Sequence, residues 1–585
     1  MFRTLWLVIV CAALHAPLAG AHERDDRDDR DDRDAHAGVT RHTHFGQVVG
    51  IDDSDNSGTY AWKGVPFAKP PVGNLRWRAP VDPDAWHKPR LAQQFGNACV
   101  QYGRIYGPGA NNRYDLTIAQ TLNQAVGSED CLYLNIWRPA HKHGLLPVIV
   151  FVHGGSNVSG YTADPVYDGA ALAKAANAVV VSVNYRLGIF GFLSLAQLKD
   201  GVDAVEGSGN FALLDIIKAF EFVNRDIVHF GGNPASVTLM GQSAGAINVY
   251  AMLTSPLVVQ RPAKDRLFDR AVPLSGGISL ATNLPPGSLP TLNPASVYVA
   301  QGNALLTNQL IVDGLATDAA SAQAYIASHT AAELASYMRS RTPAALLGTL
   351  LTRLAALGLA GSGPIPEGVV LPVDPIAAIN AGNYLKVPIL AGNTRDEAKL
   401  FPTFLVLFGG PSGRLVTDAQ LFTLQFDATA AANVKIEQWI PAFYLPVTTP
   451  GTGFNARTDL LNAIFFGRSR DNVLNALKSQ QEDVWYYRFD WDQEPAPWND
   501  IYGAAHVFDL PFVFGNFGPS LFANTINSTA NRPGRLDLSD AMMRSIAAFA
   551  KRGDPNNHAL GVDWPTWPRT LLFDATETRK VISVQ

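Results

Sequence analysis

Apolar residues recur along this chain in two rhythms, and the alternation between them is its organising pattern. Residues 132–137, 147–152 and 178–183 are nearly unbroken runs of apolar, largely β-branched residues. The second and third read as strands from the interior of a largely parallel sheet, where both faces are covered. Residues 211–230 instead repeat at helical spacing, with Leu213, Leu214, Ile217, Phe220, Val223 and Ile227 on one face. Further strands are expected at 237–240, near 272–274, at 387–391 and at 484–489, separated by long helical stretches. Upstream, 45–51 reads as a strand and 59–67 as another with a bend. The rigid turn Ala68-Lys69-Pro70-Pro71-Val72-Gly73 follows. This order predicts an α/β protein: a large central sheet, mostly parallel but mixed, flanked by helices.

One region departs from the alternation. Residues 296–363 are rich in Ala and Leu and mostly helical in pattern, and 344–361 carry a single charge, Arg353. Such a stretch serves either as a core helix pair or as a helical cap over a site, and one helix can do both. No linker-like break follows residue 45, so 45–585 is expected to be one folded domain with helical insertions.

The N-terminus changes the picture of where the chain works. Arg3, the apolar run 5–14 and Ala19-Gly20-Ala21 form a secretory signal with a small-residue cleavage site. Residues 1–21 are expected to be removed rather than kept as a membrane anchor. Residues 22–34 hold eight acidic residues and four arginines. Together with the residues up to 44, including His36, His42 and His44, they read as a disordered, solvated tail, with a weak cation-binding arm as the alternative. No later segment offers 18 uncharged apolar residues, so no stable membrane span is expected. The remaining cysteines, Cys99 and Cys131, fit one disulfide in an oxidising compartment, worth ~3–4 kcal/mol. Secretion or a periplasmic location follows. With 47% apolar residues, 17% charged residues and a net charge of −5, the chain can bury a large core and offers nothing to a nucleic acid.

Candidate chemistry centres on Gly241-Gln242-Ser243-Ala244-Gly245. A short apolar run precedes it and small residues follow, the strand, sharp turn and helix context of a nucleophile elbow. A serine nucleophile needs a base, and the base an orienting acid. Three histidines follow Ser243: His329 in the helical insertion, His558 in a polar turn, and His506, held against the apolar block 507–515. His506 is the expected base. The acid should follow a strand, and Asn393-Thr394-Arg395-Asp396-Glu397 follows 387–392; spacing leaves Asp396 and Glu397 both open, and either could instead cap a helix. An oxyanion hole needs backbone N–H groups, and His153-Gly154-Gly155-Ser156 ends a buried strand. The amides of Gly155, Ser156 and Ala244 are the expected donors.

Several longer segments then carry a resemblance. Trp62-Lys63-Gly64-Val65-Pro66-Phe67-Ala68, Glu129-Asp130-Cys131-Leu132-Tyr133-Leu134-Asn135, Asn184-Tyr185-Arg186-Leu187-Gly188, Phe230-Gly231-Gly232-Asn233-Pro234 and Gly553-Asp554-Pro555-Asn556 lie in the order found in the type-B carboxylesterases. From residue 45 onward the chain resembles that family, which includes cholinesterases and bacterial esterases. The resemblance implies an α/β-hydrolase fold with cap insertions, Glu397 as the triad acid, His506 as base, a Cys99–Cys131 disulfide, and Ser275 as a supporting serine near the triad. Four positions depart from the pattern: Gln242 stands where many relatives carry Glu, Ser156 replaces the third glycine of the oxyanion loop, Ala398 replaces Gly, and Asn233 replaces Asp. The 99–131 loop also lacks the tryptophan that holds a quaternary ammonium in cholinesterases, which with Gln242 argues against choline esters.

The expected reaction is acyl transfer through Ser243 to water. It requires no metal and no organic cofactor, and its partner is a small-molecule or lipid-like carboxylic ester. The alternatives are a catalytically silent binding or adhesion protein of the same fold, and a lipase, polyesterase or amidase specialisation.

Overall fold

The computed structural model describes residues 38–585; the expected signal peptide and most of the expected tail lie outside the described residues. An 11-stranded sheet organises the chain. Its strands are β1 (Ile51–Asp53), β2 (Thr59–Pro66), β3 (Tyr133–Pro139), β4 (Leu146–Val152), β5 (Val179–Val183), β6 (Gly232–Gln242), β7 (Arg270–Leu274), β8 (Ile389–Thr394), β9 (Val484–Phe489), β10 (Leu571–Ala575) and β11 (Lys580–Val584). The spatial order is β11-β10-β9-β8-β7-β6-β4-β5-β3-β2-β1. From β5 through β4 and β6 to β10 every pairing is parallel. The pairs at either edge are antiparallel.

The buried centre of this sheet explains its apolar runs. Along β4, Val148, Val150 and Val152 join one core layer, whereas Ile149 and Phe151 join the other, as the two-residue period of a strand demands. Helix α1 (Phe211–Asp226) covers the first layer with Leu213, Leu214, Ile217, Phe220 and Val223. Each such side chain contributes about 1.5–3 kcal/mol by leaving water. The helix tightens into a 3-10 turn and stops at Gly231, whose φ of 77° is left-handed. Helix α2 (Ala244–Thr254) lies on the same side. The C-terminal helix α7 (Arg532–Arg552) covers the other layer through Leu538, Met542, Ile546 and Phe549.

The expected strand 45–51 is broken at Gly50, where a Cβ would meet Ala61 O at 2.4 Å and the Trp62 ring. Gly46–Val49 therefore pairs with Thr40–Thr43 in a separate small sheet, and the chain joins the large sheet at Ile51. The order also begins earlier than the expected tail boundary at 44. Val39 O accepts from the Trp62 indole at 2.7 Å and the His44 amide donates to Asp226 at 2.7 Å, so 38–44 are folded. The expected bend in β2 is a register shift between Trp62 and Val65.

The helical insertion contains α3 (Ala295–Val312), α4 (Ala319–Ala327), α5 (Ala331–Ser340) and α6 (Pro343–Thr349). Thr330 opens α5 with a capping box to Glu333, and Thr342 caps α6. The expected helical stretch 344–361 is helical without a break to Leu357, but its pitch changes. After α6 come one π turn and one 3-10 turn, closed by Gly358 at φ 71°. Leu346, Leu350 and Leu354 pack against Leu305, Leu306 and Met338 in a core of their own, while Leu347, Leu350 and Leu351 also face the cavity described below. The segment is thus both core and cap.

Candidate active site

The loops that leave the C-terminal ends of the parallel strands converge, the position at which open α/β sheets place their sites. The sharpest of them follows β6. Ser243 has φ 58° and ψ −124°, a strained conformation for a residue with a side chain. Its amide donates to Leu274 O at 2.8 Å. Only glycine fits on either side: a Cβ on Gly241 would meet Gly245 O at 2.5 Å, and one on Gly245 would meet Val152 O at 2.1 Å. The close packing of α2 onto β4 and β6 therefore dictates the glycines and pushes the serine into the open.

The loop after β4 is equally constrained. Gly155 has φ +104°, and a Cβ there would lie 2.1 Å from Ser159 O. Ser156 and Asn157 also have positive φ, 57° each. The turn is pinned because Gly155 O accepts from the amides of Val158 and Ser159, both at 3.0 Å. Asn157 anchors it further: its side chain accepts from Asn248 at 3.0 Å and its carbonyl from the Gly188 amide at 2.7 Å. Gly188 is held in turn through Arg186, which is buried and bidentate to Asp215 of α1 at 2.8 and 2.7 Å. Such a pair withstands burial because the hydrogen bonds are charge-assisted. Beneath the loop His153 stacks on Tyr185, with ring centroids 4.7 Å apart. Burial lowers its pKa to about 4, against a raising hydrogen bond to Gly154 O, so it is neutral. The amides of Gly155, Ser156 and Ala244 donate to no described group, as expected of a helix N-terminus and a left-handed turn.

Glu397 and His506 meet in the interior. The Glu397 carboxylate accepts from His506 Nδ1, and its other oxygen accepts from Asn393 Nδ2 at 2.8 Å and the Thr394 amide at 2.9 Å. Burial pushes this carboxyl upward, but His506 and the donors around it, the Ser275 hydroxyl included, outweigh burial and hold it below its ordinary value. Ser275 Oγ faces Glu397 without completing a regular hydrogen bond, and its amide donates to Gly392 O at 2.7 Å. The two neighbouring acids have different partners. Asp396 turns away, accepts from the Ala504 amide at 3.0 Å and pairs with Arg395 at 2.8 Å. It clamps the loop that carries His506, a role that spacing did not reveal.

The far nitrogen of His506 holds a surprise. Gln242 Nε2 donates to His506 Nε2 at 3.1 Å, and no hydrogen bond joins Ser243 Oγ to the imidazole. With Nδ1 donating to Glu397, Nε2 carries the lone pair, so the Gln242 amide occupies the position at which a base would take a proton. Phe401 and Phe466 pack on the imidazole at centroid distances of 5.1 and 5.3 Å and keep it dry. Asp509 is buried nearby under the Tyr487 hydroxyl, which donates at 2.7 Å, and burial first, with Glu397 adding, raises it to about 6. His329 stacks on Tyr325 in α4 and His558 lies in its polar turn, both away from this centre.

Ser243, His506 and Gln242 open onto a cavity of about 450 Å³. Its lining mixes apolar groups, Leu347, Leu351, Phe401 and Phe404 among them, with Tyr102, Arg104 and Arg414. Tyr102 and Arg104 stand on the loop closed by the Cys99–Cys131 disulfide, which is formed, whereas Arg414 follows Gly413, whose amide donates to Pro402 O at 2.8 Å. Nothing in the sequence pattern had marked the two arginines.

Fold and site together define an α/β-hydrolase with a serine at its elbow. The family model for the carboxylesterase family matches residues 38–584, and the chain belongs to that family. It is 29% identical to the para-nitrobenzyl esterase of Bacillus subtilis (strain 168), over 92% of this chain and 95% of that protein. It is 32% identical to the fumonisin B1 esterase of Sphingopyxis macrogoltabida, over 91% and 85%. Among solved structures it is similar to a Geobacillus stearothermophilus carboxylesterase, with a TM-score of 0.68 at 28% identity, covering 94% of this chain and 98% of that one. The protein is a carboxylic ester hydrolase of the serine type, acting on small-molecule esters. No helix among the described residues is long and apolar enough to cross a membrane.

Proposed function

We propose that Ser243 is the nucleophile, His506 its general base and Glu397 the acid that orients the base, with the amides of Gly155, Ser156 and Ala244 as the oxyanion hole. The observation that carries this reading is the buried Glu397–His506 contact beside a strained serine. It fixes the tautomer in which Nε2 can accept a proton. Substrate entry displaces the Gln242 amide from Nε2, and the Ser243 hydroxyl takes its place; catalytic hydrogen bonds often tighten only in the complex. Ser243 Oγ then attacks the ester carbonyl as its proton passes to His506, and the oxyanion is held by the three amides. His506 returns the proton to the leaving alcohol. Water, activated by the same nitrogen, releases the acid and restores Ser243. Glu397 remains ionised throughout and stabilises the imidazolium. The amino-terminal signal and the disulfide support export, so the site is proposed to work outside the cytoplasm.

The test is hydrolysis of p-nitrophenyl acetate and butyrate by the purified chain beside Ser243→Ala, with fluorophosphonate labelling of both. Turnover and labelling that vanish together in the variant support the assignment. A folded wild type with neither would make a silent binding protein the better account.

A further inference from the structure

Two arginines on the cavity wall share a single acid. Arg104, from the disulfide loop, donates to both oxygens of Asp418 through Nε at 2.5 Å and a terminal nitrogen at 3.3 Å. Arg414 approaches the same carboxylate at 3.5 Å. The Arg414 guanidinium donates no hydrogen bond to any described residue, although its side chain is only 22% exposed. Two guanidinium charges thus meet one carboxylate, which leaves one positive charge in excess at this contact. Both arginines line the cavity that holds Ser243 and His506. Asp164, the acid in the cavity lining, pairs with neither arginine. It is buried, accepts from the Val166 amide at 3.0 Å and is raised to about 6 by burial; neither arginine is among the groups that perturb it. Tyr106 lies within electrostatic reach of Arg104, Arg414 and Asp418. Tyr102 adds a second phenol to the same wall.

We propose that this wall is a carboxylate subsite, and that the preferred substrate is an ester carrying a free carboxylate, such as the hemiester of a dicarboxylic acid. A guanidinium with free donors in a partly closed cavity matches a carboxylate in shape and charge. One surplus positive charge matches a monoanion; a phosphate dianion would leave a net negative charge behind. The apolar part of the lining, Leu347, Leu351, Phe401 and Phe404, suits the neutral remainder of such an ester. This inference rests on the Ser243–His506 reading, because it places the carboxylate in the cavity that nucleophile serves.

The experiment compares kcat/KM for the mono-p-nitrophenyl esters of succinate, glutarate and adipate with their methyl-capped, neutral counterparts. A second arm sets 4-acetoxybenzoate against its methyl ester, so that a carboxylate on the acyl part is distinguished from one on the alcohol part. In at least one arm the wild type should prefer the charged ester by about tenfold, the scale of one charge-assisted contact. Arg414→Gln and Arg104→Gln should each abolish most of that preference, and Arg414→Lys should restore part of it. Added salt should erode the preference in the wild type, a reading that holds even where a variant fails to fold. Equal turnover of charged and neutral esters in both arms, or a preference that survives both substitutions, overturns the subsite. Loss of all ester turnover and of fluorophosphonate labelling in the wild type overturns the hydrolase assignment instead.

Discussion

Ser243 and Arg414 face the same cavity, yet the chain positions them by different means. Ser243 is held by backbone: a buried parallel strand, two glycines that tolerate no Cβ, and a helix packed against both. Arg414 is held by side chains and loops, through one weak ionic contact, beside a segment whose Phe404, Val406 and Leu407 remain exposed. The first wall leaves no freedom for the reacting atoms. The second can change composition without disturbing the sheet. On the proposed reading, reaction type belongs to the elbow wall and substrate choice to the arginine wall.

Removing a fixed part of the elbow wall should do the most damage. Glu397→Gln keeps the size of the side chain but replaces the acceptor that fixes the His506 tautomer. A fall in kcat of about 10⁴ is expected, measured on p-nitrophenyl butyrate with the fold checked by circular dichroism; a loss under tenfold would remove Glu397 from the mechanism. Gly155→Ala should cost about 10²–10³ in kcat, because the new Cβ collides with Ser159 O and shifts the amides. Near-normal kcat there would show that the turn does not hold the oxyanion.

The other wall should respond in stability and selectivity before it responds in rate. Replacing Cys99 and Cys131 together by Ser should lower stability by about 3–4 kcal/mol, read as an earlier denaturation midpoint, and should loosen the loop that carries Arg104. If kcat on a neutral ester at 25 °C falls as steeply as in Gly155→Ala, the two walls are not separable. The smallest effect expected is a pH shift from Gln242→Glu. An ionised carboxylate beside Nε2 favours the protonated imidazole, and catalysis needs the neutral one. The acid limb of kcat/KM should therefore move upward by about one pH unit. An unmoved limb would mean that residue 242 does not contact the imidazole in the free enzyme.

How much of this was legible beforehand depended on how local the determinants are. β4, β5 and α1 were readable because burial on two faces or one leaves a period in the sequence, and β9 was placed at its observed bounds. The last two strands, β10 and β11, were missed: β10 alternates buried with half-buried positions and β11, at the edge, half-buried with exposed ones, so neither leaves an unbroken apolar run. Gly50 split an expected strand because Trp62, twelve residues later, fills the space a side chain would need.

The site divides along the same line. Ser243 and its flanking glycines, the diglycine before Ser156, and His506 could be named from the chain alone, because a strained turn admits few residue types and the order of the triad restricts the histidine. The choice between Asp396 and Glu397 needed the resemblance to a family, and its reason is tertiary: one carboxylate turns toward the imidazole and its neighbour turns to clamp Ala504. The Gln242 amide on Nε2, the second buried acid Asp509, and the arginine pair on Asp418 belong wholly to the tertiary structure. Arg104 and Asp418 stand 314 residues apart, and no local pattern encodes a contact whose cause is the packing of the disulfide loop against the start of a distant helix, Asp418–Phe426.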